Sequence, residues 1–256
     1  MDSMQRVEEY AKSFPIASLK YQDSLMQYGV PNRSSLWRVS TFETKEPETV
    51  KWIAGFNDQE IFFDIGANMG LYTIFAAVHR NAKVFAFEPE SGNFALLNRN
   101  IRINGLSENV VAWCCALSDD FKIDKLYMRG VDIAQSGHEF GAEVDTALRP
   151  KKALFAQGSI GYSLDGIIKT GAVPIPNHVK IDVDGIEHLI VNGAINTFAE
   201  KNVKSVLIEI SPHIPQHKNI ISVMHDLGFI FDQDQVERAR RKEGSTKDYA
   251  EYIFRR

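Results

Sequence analysis

The chain has 256 residues, 44% hydrophobic and 24% charged, enough apolar material for one large globular domain, or a domain with an extension, that folds without disulfide or metal staples. A net charge of −4 and a pI near 6.0 exclude the basic balance of a general nucleic-acid binder. No apolar run reaches the length that crosses a bilayer, and the polar stretch Met1 to Lys12 has no apolar core of the kind a secretory leader needs.

In chain order, Val7 to Ser13 reads as a short helix, Gly29 to Arg33 as a turn and Thr49 to Gly55 as a helix stopped by glycine. Residues 1–55 are expected to form an N-terminal extension, a candidate lid over an acceptor, and residues 56–256 the main domain. Ile61 to Ile65 is an apolar strand, Gly66 to Gly70 a loop and Leu71 to Val78 a helix. Lys83 to Glu88 is a second strand. Asn93 to Asn104 is a helix with Phe94, Leu97 and Ile101 at helical spacing. Val110 to Leu117 is a third strand. Its adjacent Cys114 and Cys115 point to opposite faces, so they suit neither a disulfide framework nor a zinc site and fit a reducing, cytoplasmic compartment. Residues 118–160, rich in glycine and charge, are expected to form loops or short strands over one end. His178 to Asp184 is a fourth strand, Glu187 to Phe198 a helix, Val203 to Ile210 a fifth strand and Ile220 to Leu227 a helix closed by Gly228. Phe229 to Phe231 starts another strand and Tyr249 to Phe254 is the last. The late run Arg238, Arg240, Arg241 and Lys242 is interleaved with Glu237, Glu243 and Asp248 and reads as a solvated mixed-charge face. Strands alternating with helices predict an α/β fold, a mostly parallel, doubly wound sheet with helices on both faces.

Such sheets bind ligands beyond the carboxyl ends of their strands. There, Gly66 and Gly70 let the chain turn tightly and a ligand approach the backbone. Asp64 ends the first strand, and Glu88 ends the second, about 20 residues after the glycine loop, where a carboxylate reads ribose hydroxyls. The loop lacks the G-x-G-x-x-G spacing that seats a pyrophosphate. Asp64 repels phosphate but suits a ligand carrying an ammonium and a sulfonium. Together these features favour S-adenosylmethionine over a dinucleotide.

The runs FFDIGANMGLYT, VFAFEPE, ALSD, SLDGI, VKIDVDGIEHLIVNGA and VLIEI, with the closing YIFRR, resemble the FkbM-type S-adenosylmethionine-dependent methyltransferases from about Ile61 to Phe231. The resemblance implies a Rossmann-like class I methyltransferase fold, with a seven-stranded sheet carrying one antiparallel strand near the edge. It also implies methyl transfer to a hydroxyl of a small acceptor, such as a sugar or other natural product. It assigns Asp64, Gly66, Asn68 and Gly70 to the methionine end of the cofactor and Glu88 to the ribose. Pro89 and Glu90 shape the adjoining loop, and Ser118 and Asp119 lie near the adenine. Asp184 stands where the family commonly has glutamate, which moves its charge.

Strand alternation places Lys180, Asp182 and Asp184 on one side. A lysine and two carboxylates at a buried strand end are costly unless paired or used. Asp182 and Asp184 are candidate general bases with Lys180 beside them, and Glu187 and Glu209 are candidate acceptor contacts. A competing reading, less favoured, is a divalent cation held by Asp182, Asp184 and Glu209 or His213. A structural ion pair of Lys180 with either aspartate is the plain reading. A non-catalytic cofactor-binding module and a nicotinamide-dependent oxidoreductase are the alternative functions. The retained carboxylates argue against the first and the loop spacing against the second.

Overall fold

A computed structural model describes residues 2–244 and 246–256. The chain opens with α1 (Ser3–Lys12) and the antiparallel hairpin of β1 (Ile16–Tyr21) and β2 (Ser24–Gly29), which sequence reading had not placed. Next come α2 (Arg33–Ser40), α3 (Phe42–Lys45) and α4 (Pro47–Ala54). Asn32 starts α2 by a capping box with Ser35, and Pro47 starts α4, where its missing N–H has no helical partner to lose.

The nucleotide-type core follows: β3 (Ile61–Ile65), α5 (Leu71–His79), β4 (Lys83–Phe87), α6 (Ser91–Ile103) and β5 (Val110–Trp113). The chain then leaves the main sheet for β6 (Ala116–Leu117), β7 (Lys122–Met128), β8 (Glu139–Phe140) and β9 (Phe155–Tyr162). It returns through α7 (Leu164–Lys169), β10 (His178–Ile181), α8 (Glu187–Asn192), α9 (Ile195–Ala199), β11 (Ser205–Ile210), α10 (His217–Asp226), α11 (Gln233–Ala239) and β12 (Ala250–Arg255).

The main sheet runs β12-β11-β10-β3-β4-β5, parallel except for β12, which lies antiparallel at the edge. Every residue of β10 and β11 is buried, as expected of strands covered on both faces. The seven strands implied by the family resemblance are six among the described residues, because Phe229 to Phe231 contributes only a single bridge, Ile230 to Arg255. The expected third strand is divided: Val110 to Trp113 stays in the main sheet and Ala116–Leu117 joins a second sheet of order β6-β9-β7-β8. The helix expected over 187–198 breaks at Gly193, where a Cβ would meet the Ser118 carbonyl oxygen at 2.3 Å.

Residues 16–53 are built into the same core as the nucleotide half. Met26, Tyr28, Phe42, Val50 and Ile53 join Phe75, Val84 and Leu97 in one apolar cluster, and the Tyr28 hydroxyl donates to the Leu71 carbonyl at 2.9 Å. The loop between β7 and β8 is drawn over the carboxyl edge of the main sheet. Asn32 Nδ2 donates to Ile133 O at 2.8 Å, Arg38 Nε to Ala134 O at 2.8 Å and Asn68 Nδ2 to Gln135 O at 2.7 Å.

Candidate active site

The glycine loop is held by its geometry. Gly66 has φ +80°, and a Cβ there would sit 2.0 Å from the Asp182 carbonyl oxygen, so only glycine lets β3 and β10 end side by side. Gly70, φ +82°, caps α5 in the left-handed region. Glu88 ties this loop to the next: its carboxylate accepts from Asn68 N at 2.8 Å and from Glu90 N at 2.9 Å. Glu90 in turn caps α6 through Gly92 N and Asn93 N. Burial pushes the Glu88 carboxyl up to about 7.

Asp64 is 1% exposed. Thr73 Oγ1 donates to its Oδ2 at 2.6 Å, while Oδ1 has no hydrogen-bond partner among the described residues. Burial raises its pKa against the pull of Lys180, its register partner on β10.

A cavity of about 330 Å³ opens above these groups. It is lined by Gly66, Asn68, Glu88 and Pro89 and by the carboxylates Asp182, Asp184 and Glu209. Trp37, Arg38 and Lys45 come from α2 and α3, Gln135 and His138 from the β7–β8 loop, and Arg241 from beyond α11. Two slots of about 30 Å³ adjoin it. One is apolar, walled by Phe87, Leu117, Leu126, Phe140 and Ile186 behind Gly66 and Pro89. The other is lined by Asp64, Tyr72 and Lys180.

The strand β10 ends at Ile181, three residues earlier than expected. Asp182 still bonds to the sheet through its N–H to Ile65 O, but Asp184 has φ +68° and Gly185 φ +146°, which turn the chain out of the strand. Strand alternation therefore holds for Lys180 and Asp182 and fails for Asp184, which reaches the cavity by a left-handed turn. Lys180 is 2% exposed and donates to Asp182 Oδ2 at 2.8 Å. Burial opposes both charges; the attraction between them prevails, holding Asp182 well below the usual carboxylate range and Lys180 above the usual lysine range. Asp184 makes no ion pair among the described residues, and Arg38 pulls on it only weakly. Burial and the charge of Asp182 push it up to about 6, although Gly137 N donates to it at 2.6 Å.

Glu209 is held by Arg241 at 2.5 Å, and the same guanidinium reaches Glu251 at 3.0 Å and Glu46 at 3.5 Å. Burial and Asp182 nevertheless raise the Glu209 pKa well above the ordinary value. Arg241 thus departs from the solvated face read from its surroundings, whereas Arg240 keeps a surface pair with Glu237.

Asp64, Gly66, Asn68, Glu88, Lys180, Asp182, Asp184 and Glu209 are brought together around the cavity and its slots. Gly70 lies behind the loop, facing Leu97. Ser118 and Asp119 are not brought to the cavity: Ser118 is buried under the turn at Gly193, and Asp119 pairs with Lys122 at 2.5 Å. Glu187 lies below the site. Its Oε1 accepts from Val183 N and Gly185 N, each at 3.2 Å, and Oε2 is 3.1 Å from His217 Nε2, so it braces the Asp184 turn instead of facing an acceptor. His213 is exposed and 3.4 Å from Asp248. Among the described residues no three His, Cys, Asp or Glu side chains converge to hold a metal ion.

His138 was not foreseen. Its Nδ1 accepts from Arg129 N at 3.3 Å, which puts the proton of the neutral ring on Nε2. That Nε2 is buried without a hydrogen-bond partner among the described residues, on a side chain that lines the cavity.

These residues fit S-adenosylmethionine. The unpartnered, buried Asp64 oxygen suits an ammonium, Glu88 can accept from ribose hydroxyls, and the apolar slot behind Pro89 suits a flat ring. Comparison with known proteins agrees. The Methyltransferase FkbM domain matches residues 64–231, more than half of the chain. The hexuronic acid methyltransferase AglP of Haloferax volcanii is 25% identical over 72% of this chain and 70% of its own length. The methyltransferase sdnD of Sordaria araneosa is 25% identical over 73% of this chain and 80% of its own. The crystal structure of Methyltransferase FkbM from Methylobacillus flagellatus KT shares the fold, with a TM-score of 0.51 at 13% identity, covering 88% of this chain; the chain spans only 55% of that structure's length. With the glycine loop, the Glu88 carboxylate and the matched domain in one place, the chain belongs to the FkbM family of S-adenosylmethionine-dependent methyltransferases.

Proposed function

We propose that the protein is an O-methyltransferase that methylates a hydroxyl of a small acceptor, a sugar or other natural product. The observation that carries this reading is one cavity lined both by Gly66, Asn68 and Glu88 of the glycine-loop half and by Asp182 and Asp184 at the end of the neighbouring strand. The name of one relative, a hexuronic acid methyltransferase, supports a sugar acceptor.

When bound, S-adenosylmethionine supplies a methyl group on a sulfonium, and its transfer to an oxygen in line releases the hydroxyl proton. Asp64 holds the ammonium and Glu88 the ribose, so the cavity presents the acceptor at a fixed position; most of the acceleration comes from this proximity. Asp184 takes the hydroxyl proton. Its pKa near 6 suits a base at neutral pH, whereas Asp182, pinned as an anion by Lys180, is too weak a base and instead keeps that lysine in place.

The test is incubation with methyl-labelled S-adenosylmethionine and a panel of glycosides, with products identified by mass spectrometry. Asp184→Asn is expected to lower kcat by about 10²–10⁴ while leaving S-adenosylhomocysteine affinity within about threefold. A labelled nitrogen or carbon product, or full turnover by Asp184→Asn, would overturn the reading.

A further inference from the structure

The groove continues past the cavity. Beyond Gln135 and Ser136 it widens into a recess of about 560 Å³, walled by Arg33, Ser34, Trp37, Arg38, Arg129 and Ala134. Trp37 and Arg38 belong to both spaces, so one ligand can occupy the two together. No carboxylate lines the recess. Arg38 and Arg129 are anchored through neutral carbonyls, Arg38 Nε to Ala134 O at 2.8 Å and the two terminal Arg129 nitrogens to Lys152 O, at 3.2 Å, and Val144 O, which fixes the guanidinium groups without a carboxylate partner. Arg33, Arg38 and Arg129 make no ion pair among the described residues, in contrast to Arg241. Arg33 and Trp37 are four residues apart on α2 and share a helix face. The Trp37 indole is 52% exposed, and Lys45 Nζ lies 6.0 Å from its ring centroid.

An exposed indole ringed by unpaired guanidinium groups matches one chemistry. A sugar ring lies flat on the indole, and an oxyanion on that ring takes the guanidinium forks, which bind planar oxyanions in pairs of hydrogen bonds. We propose that the recess is a subsite for an anionic sugar unit of the acceptor, with its carboxylate, sulfate or phosphate ester held by Arg33, Arg38 and Arg129 and its ring stacked on Trp37. The proposal rests on the sugar-acceptor reading above and adds the charge of the acceptor and the surface that reads it.

The experiment is a tryptophan-fluorescence titration of the whole chain, with Trp37→Phe as the control that removes the signal. Three probes are compared: a hyaluronan tetrasaccharide, neutral maltotetraose and inorganic phosphate. The tetrasaccharide bearing uronic acids is expected to quench saturably, with maltotetraose at least tenfold weaker and phosphate a poor competitor. Arg33→Gln, a change at an exposed helix position, is expected to weaken the acidic probe about fivefold or more and leave maltotetraose within twofold. Equal binding of the acidic and neutral probes, or no effect of Arg33→Gln, overturns the subsite. Phosphate competing as well as the tetrasaccharide means an adventitious anion site only and overturns it too. Glucose 6-phosphate against methyl glucuronide then separates phosphate from carboxylate. The readout needs no methyl transfer, so acidic-probe binding together with a labelled nitrogen or carbon product in the glycoside panel would sink the O-methyltransferase reading and leave the subsite standing.

Discussion

At the scale of single residues, the site is governed by carboxylates in unlike surroundings. Asp182 has a buried lysine at 2.8 Å; Asp184, two residues on, has none. The difference predicts a pH profile. With Asp184 as base, kcat is expected to rise tenfold per unit below pH 6 and to level off above it, a profile that Asp184→Glu keeps in shape and Asp184→Asn loses. Glu88 makes a separate prediction. Its pKa is raised from 4.5 to about 7, so the folded chain holds this proton more tightly than the unfolded one. The stability it contributes is complete below pH 4.5 and is lost as pH rises through 7. Glu88→Gln is therefore expected to gain on the wild type by about 2 kcal/mol between pH 5 and pH 8, measured by thermal unfolding without ligand. Ribose hydroxyls prefer the ionised form, so S-adenosylhomocysteine affinity should climb over the same range in the wild type and stay flat and weak in Glu88→Gln. Calorimetry at pH 6 and pH 8 checks this.

At the scale of elements, the glycine loop and the strand ends were legible because their signals are local. Ile61 to Gly70 contains its own strand, turn and helix start, and Glu88 follows at a spacing set by one βαβ unit. Gly66→Ala is expected to lower stability by at least about 2 kcal/mol and to abolish cofactor binding, since its Cβ would collide with the Asp182 carbonyl oxygen. A cooperative melt near the wild-type temperature would contradict that packing. The hairpin β1–β2 escaped sequence reading because its strands alternate weakly: only Leu19 of β1 is buried, and Ile16 and Leu25 face solvent. Arg241 and His138 escaped for another reason. The partners that give them a role, Glu46, Glu209 and Glu251 for one and the cavity wall for the other, lie far along the chain or in other loops, and no local pattern carries such distances. Asp184 lines the cavity, but its route there, a left-handed turn instead of strand alternation, was not visible.

At the scale of the molecule, residues 16–53 and the main domain share one core. We expect a chain beginning at residue 56 to lose cooperative unfolding by circular dichroism, because Phe62, Phe75 and Val84 would lose the apolar partners that α3, α4 and the hairpin provide. The whole chain should be stabilised by its ligand. S-adenosylhomocysteine at a hundred times its Kd contributes about 2.7 kcal/mol, a rise of about 5–10 °C in Tm, while NAD at the same concentration should leave Tm unchanged. The converse result would favour an oxidoreductase. Arg241 and β12 come late in the chain. The guanidinium that answers Glu209, Glu46 and Glu251 comes from a segment synthesised after every parallel strand is made, and β12 closes the sheet later still. In chain order Glu46 and Glu209 precede this counter-charge, whereas Glu251 follows it on β12. A chain cut after β11 would therefore leave the sheet edge beside β11 open and strip Glu209 and Glu46 of the Arg241 guanidinium at once, so sheet closure and charge balance of the site are tied to the same late segment.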